Sequence, residues 1–168
     1  MNVLGACTSQ TSTVQTTEKG TQWEWQNGTI VVKTPERPAG QKSVLGLTTP
    51  KLEAVRVGFV GLGMRGPGAV ERFTYIPGTQ VVALCDKCQE LLKKASMPKA
   101  AVYSGDKGYE ELCKRDDIDL VYIAADWLHH FPVAKCALEN GKNVAIEVPS
   151  AMNLQECWDL INLSESTR

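Results

Sequence analysis

The sequence predicts an α/β fold, a doubly wound parallel sheet covered by helices on both faces, preceded by an N-terminal tether and a hairpin. Three observations lead there. From residue 55 onward, apolar strands alternate with helical patterns. The strands are apolar throughout, as in Leu120-Val121-Tyr122-Ile123-Ala124, which suits a strand buried on both faces. The strand Val55-Arg56-Val57-Gly58-Phe59-Val60 runs directly into Gly61-Leu62-Gly63-Met64-Arg65-Gly66, and Asp86 ends the next strand twenty residues beyond Gly66.

Strand, G-x-G-x-x-G turn, helix, second strand and terminal acid form the dinucleotide-binding fingerprint of a Rossmann-type sheet. Gly61 permits the tight turn, Gly63 lets the backbone approach a pyrophosphate, and Gly66 lets the helix pack closely on the strand. The helix start offers unpaired N–H groups and a positive dipole end to phosphates. Asp86 sits where a carboxylate can accept both ribose hydroxyls. An ordinary glycine-rich turn would account for the glycines alone, but not for strand, helix and acid in register.

Residues 1–22 read as a polar tether, Ser/Thr/Gln-rich from Thr8 to Gln22. Residues 23–50 hold a hairpin and a Pro/Gly-rich connector. Trp23-Glu24-Trp25-Gln26-Asn27-Gly28-Thr29-Ile30-Val31-Val32 alternates around Asn-Gly, a strong hairpin signal, and the connector runs from Thr34 to Pro50. A small flap packed on the main domain accounts for the tryptophans better than a binding surface. Residues 51–168 form the domain proper. Its expected elements are strand 55–60, a helix from about 64 to 74, strand 81–85 and a short helix from about 88 to 96. A helix at about 107–114, strand 120–124, helix 132–140, strand 143–146 and a helix at about 154–164 follow. Asn140-Gly141 ends a helix with a left-handed residue, and Asn153 with Glu156 gives the last helix a capping box.

Composition fits this reading and bounds it. At 168 residues the chain accommodates one well-cored domain plus an arm, not a complete two-domain dehydrogenase. A net charge of −1 gives no electrostatic reason to expect nucleic acid or an anionic membrane as partner. No run of about 18 apolar residues exists to span a bilayer as a helix.

The six cysteines suggest no metal site. Cys85 and Cys88 make one C-x-x-C across a strand end and a helix start, with no second pair and no histidine at finger spacing. Their redox pairing is the minor alternative. Cys113, Cys136 and Cys157 fall in helical patterns and read as small buried hydrophobes. Cys7 differs, since Leu4-Gly5-Ala6-Cys7 reads like a bacterial lipobox, where the cysteine is lipidated. Only three residues precede Leu4, so the charged and apolar signal regions are not present. Two readings stay open: a periplasmic or membrane-anchored lipoprotein whose true start lies upstream, or a chance match in a cytoplasmic protein.

Ligands of such sheets bind at the carboxyl ends of the strands. The glycine turn, the segment Asp126-Trp127-Leu128-His129-His130 and the segment Glu147-Val148-Pro149 meet there. His129 and His130 are the only histidines, and their place favours lining a cofactor over catalysis.

These residues carry a family resemblance. The glycine turn, Trp-x-x-His-x-Pro (Trp127, His130, Pro132) and Gly-Lys-Asn-Val-Ala-Ile-Glu-Val-Pro (Gly141 to Pro149) resemble the Gfo/Idh/MocA oxidoreductases over about Arg56 to Arg168. Within them the chain is most similar to the NAD-dependent glycoside hydrolases typified by bacterial α-N-acetylgalactosaminidase. Mainstream members carry Glu-Lys-Pro, with the lysine beside the carbon that is oxidised. Here Val148 stands in that place, and valine has no proton to exchange.

The resemblance implies a Rossmann domain that keeps NAD bound, acting on a small-molecule sugar. NAD would oxidise sugar C3, acidifying the C2 proton; the glycosidic oxygen is eliminated, water adds, and the ketone is reduced back. That route needs no flanking carboxylate pair. Cofactor contacts are implied at Met64, Arg65, Asp86, Trp127, Leu128, His129, His130, Glu147 and Val148, beside the turn glycines Gly61, Gly63 and Gly66. No catalytic residue is assigned.

The chain departs from the family pattern twice. Family members continue into a β-rich domain that supplies substrate contacts and proton-transferring groups, so residues 1–168 alone are expected to bind NAD without cleaving a glycoside. They also carry about two more helical turns after the ribose acid; losing about seven residues keeps the helix face in phase but covers the sheet edge less. A sugar dehydrogenase domain releasing NADH, a non-catalytic nucleotide-binding fragment and a homo-oligomer stay open as alternatives.

Overall fold

A computed structural model describes residues 15–16, 22–33, 36–95 and 97–167. Cys7 and most of the tether lie outside the described residues. The chain forms two compact units, Met1–Glu36 and Arg37–Arg168. In the first, β1 (Gln15–Thr16), β2 (Gln22–Gln26) and β3 (Thr29–Val32) form an antiparallel sheet in that order. The β2–β3 turn is the expected one: Asn27 and Gly28 have φ of 50° and 77°, the two left-handed residues of a type I′ hairpin. β1 corrects the reading of residues 1–22 as tether alone, because Gln15 and Thr16 pair with Trp23 and Gln22.

The second unit follows the expected alternation. Its elements are β4 (Val55–Val60), α1 (Gly66–Tyr75), β5 (Thr79–Asp86), α2 (Gln89–Lys94), β6 (Ala101–Ser104), α3 (Gly108–Cys113), β7 (Leu120–Ile123), α4 (Trp127–Glu139), β8 (Asn143–Ile146) and α5 (Leu154–Ser166). The five strands β4 to β8 pair in parallel in the order β6-β5-β4-β7-β8. The direction of winding reverses at β4, so β4 and β7 part at the switch point where such sheets bind ligands.

Period-two alternation sorts the strand side chains into two layers. Val57, Phe59 and Leu84 point into one with Ala69, Val70 and Leu92 of α1 and α2. Val60, Ala83, Cys85, Val121 and Ile123 point into the other, with Leu112 and Cys113 of α3 and Val133, Ala134 and Ala137 of α4. Phe59 is fully buried, its ring 5.3 Å from Phe73 edge-on and 5.2 Å from Tyr122. At the amino ends of the strands, Arg56 on β4 grips Asp119 ahead of β7: its Nη2 and Nε donate to the two carboxylate oxygens at 2.6 and 2.9 Å, and its backbone N–H donates at 2.8 Å. The connector is fastened to α5 of the same unit, where buried Glu165 accepts from Arg37 Nη2 at 3.0 Å and Gln41 Nε2 at 2.8 Å.

Three expectations change. β6 had no predicted counterpart; it pairs with β5 from Ala83↔Ala101 to Asp86↔Ser104 as an edge strand with alternating half-buried and exposed residues. α4 starts at Trp127, not 132, so Pro132 lies inside the helix and removes an N–H that would have met the Leu128 carbonyl. Cys157 is exposed, not core, while Cys113 is buried and Cys136 half-buried. Cys85 and Cys88 are free thiols, and burial pushes the Cys85 thiol up to about 12.

Other details hold. α2 is a short helix of six residues, and Val102 on the edge strand beside it is 55% exposed. α4 ends in a Schellman motif: Gly141 has φ of 70°, its N–H donates to Leu138 O at 2.9 Å, and that of Lys142 to Ala137 O at 2.9 Å. Asn153 Oδ1 accepts from Glu156 N–H at 3.0 Å, whereas Glu156 Oε2 reaches Met152 N–H at 2.8 Å, one residue before the cap. Removing the aromatic hub tests how far the two layers depend on β4. Phe59→Ala is expected to lower stability by about 3–5 kcal/mol, read as a lower denaturant midpoint at unchanged slope.

Candidate functional site

The turn after β4 is built from positions that tolerate no side chain. Gly61 has φ of +93°, and a Cβ there would lie 2.3 Å from Ala125 N and 2.4 Å from Ala124 C. A Cβ on Gly66 would meet Gly61 O at 2.1 Å, so that buried glycine seats α1 against the turn, behind the cleft. Gly63 is the opposite case: nothing lies within 4 Å of its Cβ position, and the space opens onto the cleft. Arg65 is the N-cap of α1 without a side-chain cap bond, and no acidic residue stands in the first helical turn. The first N–H groups of α1, those of Gly66 and Gly68 since Pro67 has none, therefore stand without a side-chain cap at the positive end of the helix dipole, next to the cleft-lining Arg65.

Asp86 does more than its sequence position suggests. It is 9% exposed, its Oδ2 accepts from Leu62 N–H at 2.6 Å, and its Oδ1 accepts from Cys88 N–H at 2.7 Å. The acid of the fingerprint thus also braces the glycine turn. Each carboxylate oxygen has a second lone pair, so ribose hydroxyls can still be accepted. Ladder-like bonds beyond the strands hold this rim together: Gly61 N–H to Cys85 O at 2.8 Å, Ala124 N–H to Val60 O at 2.8 Å, and Glu147 N–H to Ile123 O at 2.9 Å.

Across the switch point, the start of α4 carries the two histidines. His130 is 1% exposed, with Nδ1 2.7 Å from Pro149 O and Nε2 2.9 Å from Ala125 O. A carbonyl oxygen only accepts, so the ring nitrogen that carries the proton donates to one of these two strand-end loops while the ring packs against both. His129 is the more accessible ring, and its Nδ1 lies 2.7 Å from Asp126 Oδ1. Asp126 Oδ2 in turn accepts from Lys87 Nζ at 2.9 Å, reaching over from the end of β5. The contacts with His129 and then Lys87 hold the Asp126 carboxyl down to about 2. It stays ionised above the ordinary carboxylate range, and its pairing is lost only as the pH falls through about 2. Beyond β8, Glu147 Oε1 accepts from Tyr122 OH at 2.7 Å; burial first, and then this bond, raises the tyrosine's pKa. Val148, followed by a cis Pro149, is 83% exposed.

These groups converge on one cleft of about 1000 Å³. Gly61, Gly63, Met64, Arg65 and Asp86 line one side, and Trp127, Leu128, His129, His130, Glu147 and Val148 the other. Sequence reasoning set Asp126 at the strand ends without giving it or Lys87 a contact, and missed Met152 on the cleft wall and Asp106 and Tyr109 in a small recess behind Asp86. Lys87 and Asp126 adjoin named residues, but the Asp106 region depends on β6, whose pattern gave no strand signal. Among the described residues, no group of three or more His, Cys, Asp or Glu could hold a metal ion, and no helix is long and apolar enough to cross a membrane.

The family model for Gfo/Idh/MocA, an oxidoreductase family with an NAD-binding Rossmann fold, matches residues 55–168. The chain belongs to this family. It is 80% identical over 173 residues to glycosyl hydrolase family 109 protein 4 of Phocaeicola vulgatus, covering 99% of this chain and 34% of that protein. The chain spans about a third of the length of the curated relatives it matches. Among solved structures, it is similar to a biliverdin reductase from Synechocystis sp. PCC 6803 in complex with biliverdin and NADP+, at 28% identity and TM-score 0.61, over 67% of this chain and 35% of that one. It is likewise similar to myo-inositol dehydrogenase from Lactobacillus casei in complex with NAD(H) and myo-inositol, at 26% identity and TM-score 0.58, over 66% of this chain and 33% of that one.

The domain is thus an NAD-binding Rossmann domain, and its residues fit the dinucleotide: an open Gly63 facing a bare helix start, with a braced carboxylate at the end of β5. Gly63→Val is expected to abolish NAD binding and leave the circular dichroism spectrum native, because only cleft space is filled. Gly66→Val, pressed onto a backbone oxygen, is expected to lose the fold. Retained affinity in folded Gly63→Val would reduce the turn to a structural role.

Proposed function

We propose that this domain holds the NAD of a glycoside hydrolase that acts on an N-acetylgalactosaminide by transient oxidation. The observation that carries the reading is the 80% identity, across nearly the whole chain, to a protein named for glycosyl hydrolase family 109. Val148 gives a chemical reason in the same direction. It stands exposed at the cleft where the resemblance places a lysine in mainstream oxidoreductases, so the residue offers no proton to a simple alcohol oxidation.

In this reading the N–H groups at the start of α1 and the turn at Gly63 receive the pyrophosphate, and Asp86 receives the ribose hydroxyls. Trp127, Leu128 and His129 wall the nicotinamide half together with Glu147, which Tyr122 OH holds in place. His130 keeps that wall closed by fastening α4 to the Pro149 loop. Bound NAD supplies a reversible oxidation of the sugar at C3, which permits elimination and water addition without a flanking carboxylate pair.

The test, made on a protein that carries this domain joined to the substrate domain of its relatives, is release of nitrophenol from a nitrophenyl N-acetylgalactosaminide without added NAD. Turnover without NADH accumulation supports the proposal. Stoichiometric NADH formation would instead support a sugar dehydrogenase, a reading favoured by the likeness to myo-inositol dehydrogenase. Nucleotide binding with neither activity would leave a binding module.

Cofactor choice follows from Asp86, which accepts from a 2′-hydroxyl and repels a 2′-phosphate. NAD is expected to bind more tightly than NADP in calorimetric titrations. Equal or tighter NADP binding would count against the ribose assignment.

A further inference from the structure

We propose that Asp126 enforces the preference for an unphosphorylated ribose by holding Lys87 away from it. The inference rests on the reading of Asp86 as the ribose acid. A 2′-phosphate is accommodated by a cation beside that acid, and Lys87 is the cation next to Asp86 in the chain. The structure commits this lysine elsewhere. Its Nζ lies 2.9 Å from Oδ2 of Asp126, a residue from the far side of the switch point.

The holding group is itself fixed. Asp126 is the N-cap residue of α4 in extended backbone, and its other oxygen meets His129 Nδ1 at 2.7 Å. Both contacts thus hold it as a carboxylate, and the Lys87 ammonium is stabilised first by Asp126 and then by the fields of Asp106 and Asp86. Three carboxylates around one ammonium leave the ribose end of the cleft with net negative charge. A phosphate dianion would have to draw Lys87 off Asp126 and would still face Asp86. A neutral 2′-hydroxyl meets neither barrier. Asp86 alone, the residue the fingerprint points to, does not account for why an adjacent lysine fails to offset it; the ion pair does.

Four forms of the protein, stripped of bound nucleotide, decide the matter: wild type, Asp126→Asn, Lys87→Met and the double variant. Asparagine is isosteric and caps a helix as well as aspartate, and circular dichroism checks each fold. Dissociation constants for NAD and NADP are measured by calorimetry, and their ratio is the readout. Asp126→Asn is expected to shift the ratio toward NADP by about five-fold, the size of one exposed charge contact. In the Lys87→Met background the same change should shift it by less than about two-fold. Lys87→Met alone should leave the ratio nearly at the wild-type value, because the lysine is already sequestered.

An unchanged ratio in Asp126→Asn overturns the proposal. So does an equal shift with and without Lys87, which would make the charge of Asp126 itself the barrier. If Asp126→Asn fails to fold, Lys87→Met alone still decides: a marked loss of NADP affinity would show that the lysine already serves the phosphate. Wild type that takes NADP as readily as NAD would instead overturn the underlying ribose assignment.

Discussion

Helix α1 leaves the sheet through a gap that admits hydrogen and nothing larger. A methyl at Gly66 would stand 2.1 Å from the carbonyl oxygen of Gly61, and one at Gly61 would stand 2.3 Å from the amide nitrogen of Ala125. This close approach sets the distance between the turn, β4 and the loop after β7. It brings the start of α1, without a side-chain cap, up to the switch point, and lets Asp86 reach the turn through Leu62 N–H. The carboxylate proposed to receive the ribose therefore fixes the loop proposed to receive the pyrophosphate.

Around that gap, the charged and polar groups divide into fasteners and wall. Arg56 with Asp119 closes the amino ends of β4 and β7, far from the cleft in strand order. At the carboxyl ends, the buried His130 ring lies between the Ala125 and Pro149 carbonyls, and the Tyr122 hydroxyl donates to Glu147. This wall of the cleft is thus held by side chains whose polar atoms are already engaged. The exposed groups beside them, Val148, Trp127, Leu128 and Met64, are apolar and line a concave site, as ligand sites commonly do. Lys87 and Asp126 are the exception, an exposed ion pair across the ribose end.

Much of this was legible in the sequence, for local reasons. Asn27-Gly28 specifies its hairpin because both residues tolerate positive φ, and Gly141 ends α4 for the same reason. The glycine fingerprint worked because the spacing of turn, helix and acid is itself the geometry of the site. Where reading failed, the pattern was short or was outvoted by packing. Ala101 to Ser104 is four residues on a half-covered edge, too brief for a periodic signal, so the recess near Asp106 went unseen. Pro132 suggested a helix start, yet α4 begins five residues earlier, where Asp126 lies in extended backbone and His130 is bonded to Ala125 O.

By itself the sequence determined the parallel α/β sheet, the nucleotide turn, and most residues on both sides of the cleft. Those follow from backbone constraints and burial patterns that act within a few residues. Only the tertiary structure decided which side chains are already spoken for. Asp86 doubles as a brace, His130 is a buried fastener, and Lys87 answers to a carboxylate 39 residues away. Hydrogen bonds and ion pairs depend on through-space distances of about 3 Å, which the order of residues along a chain does not contain.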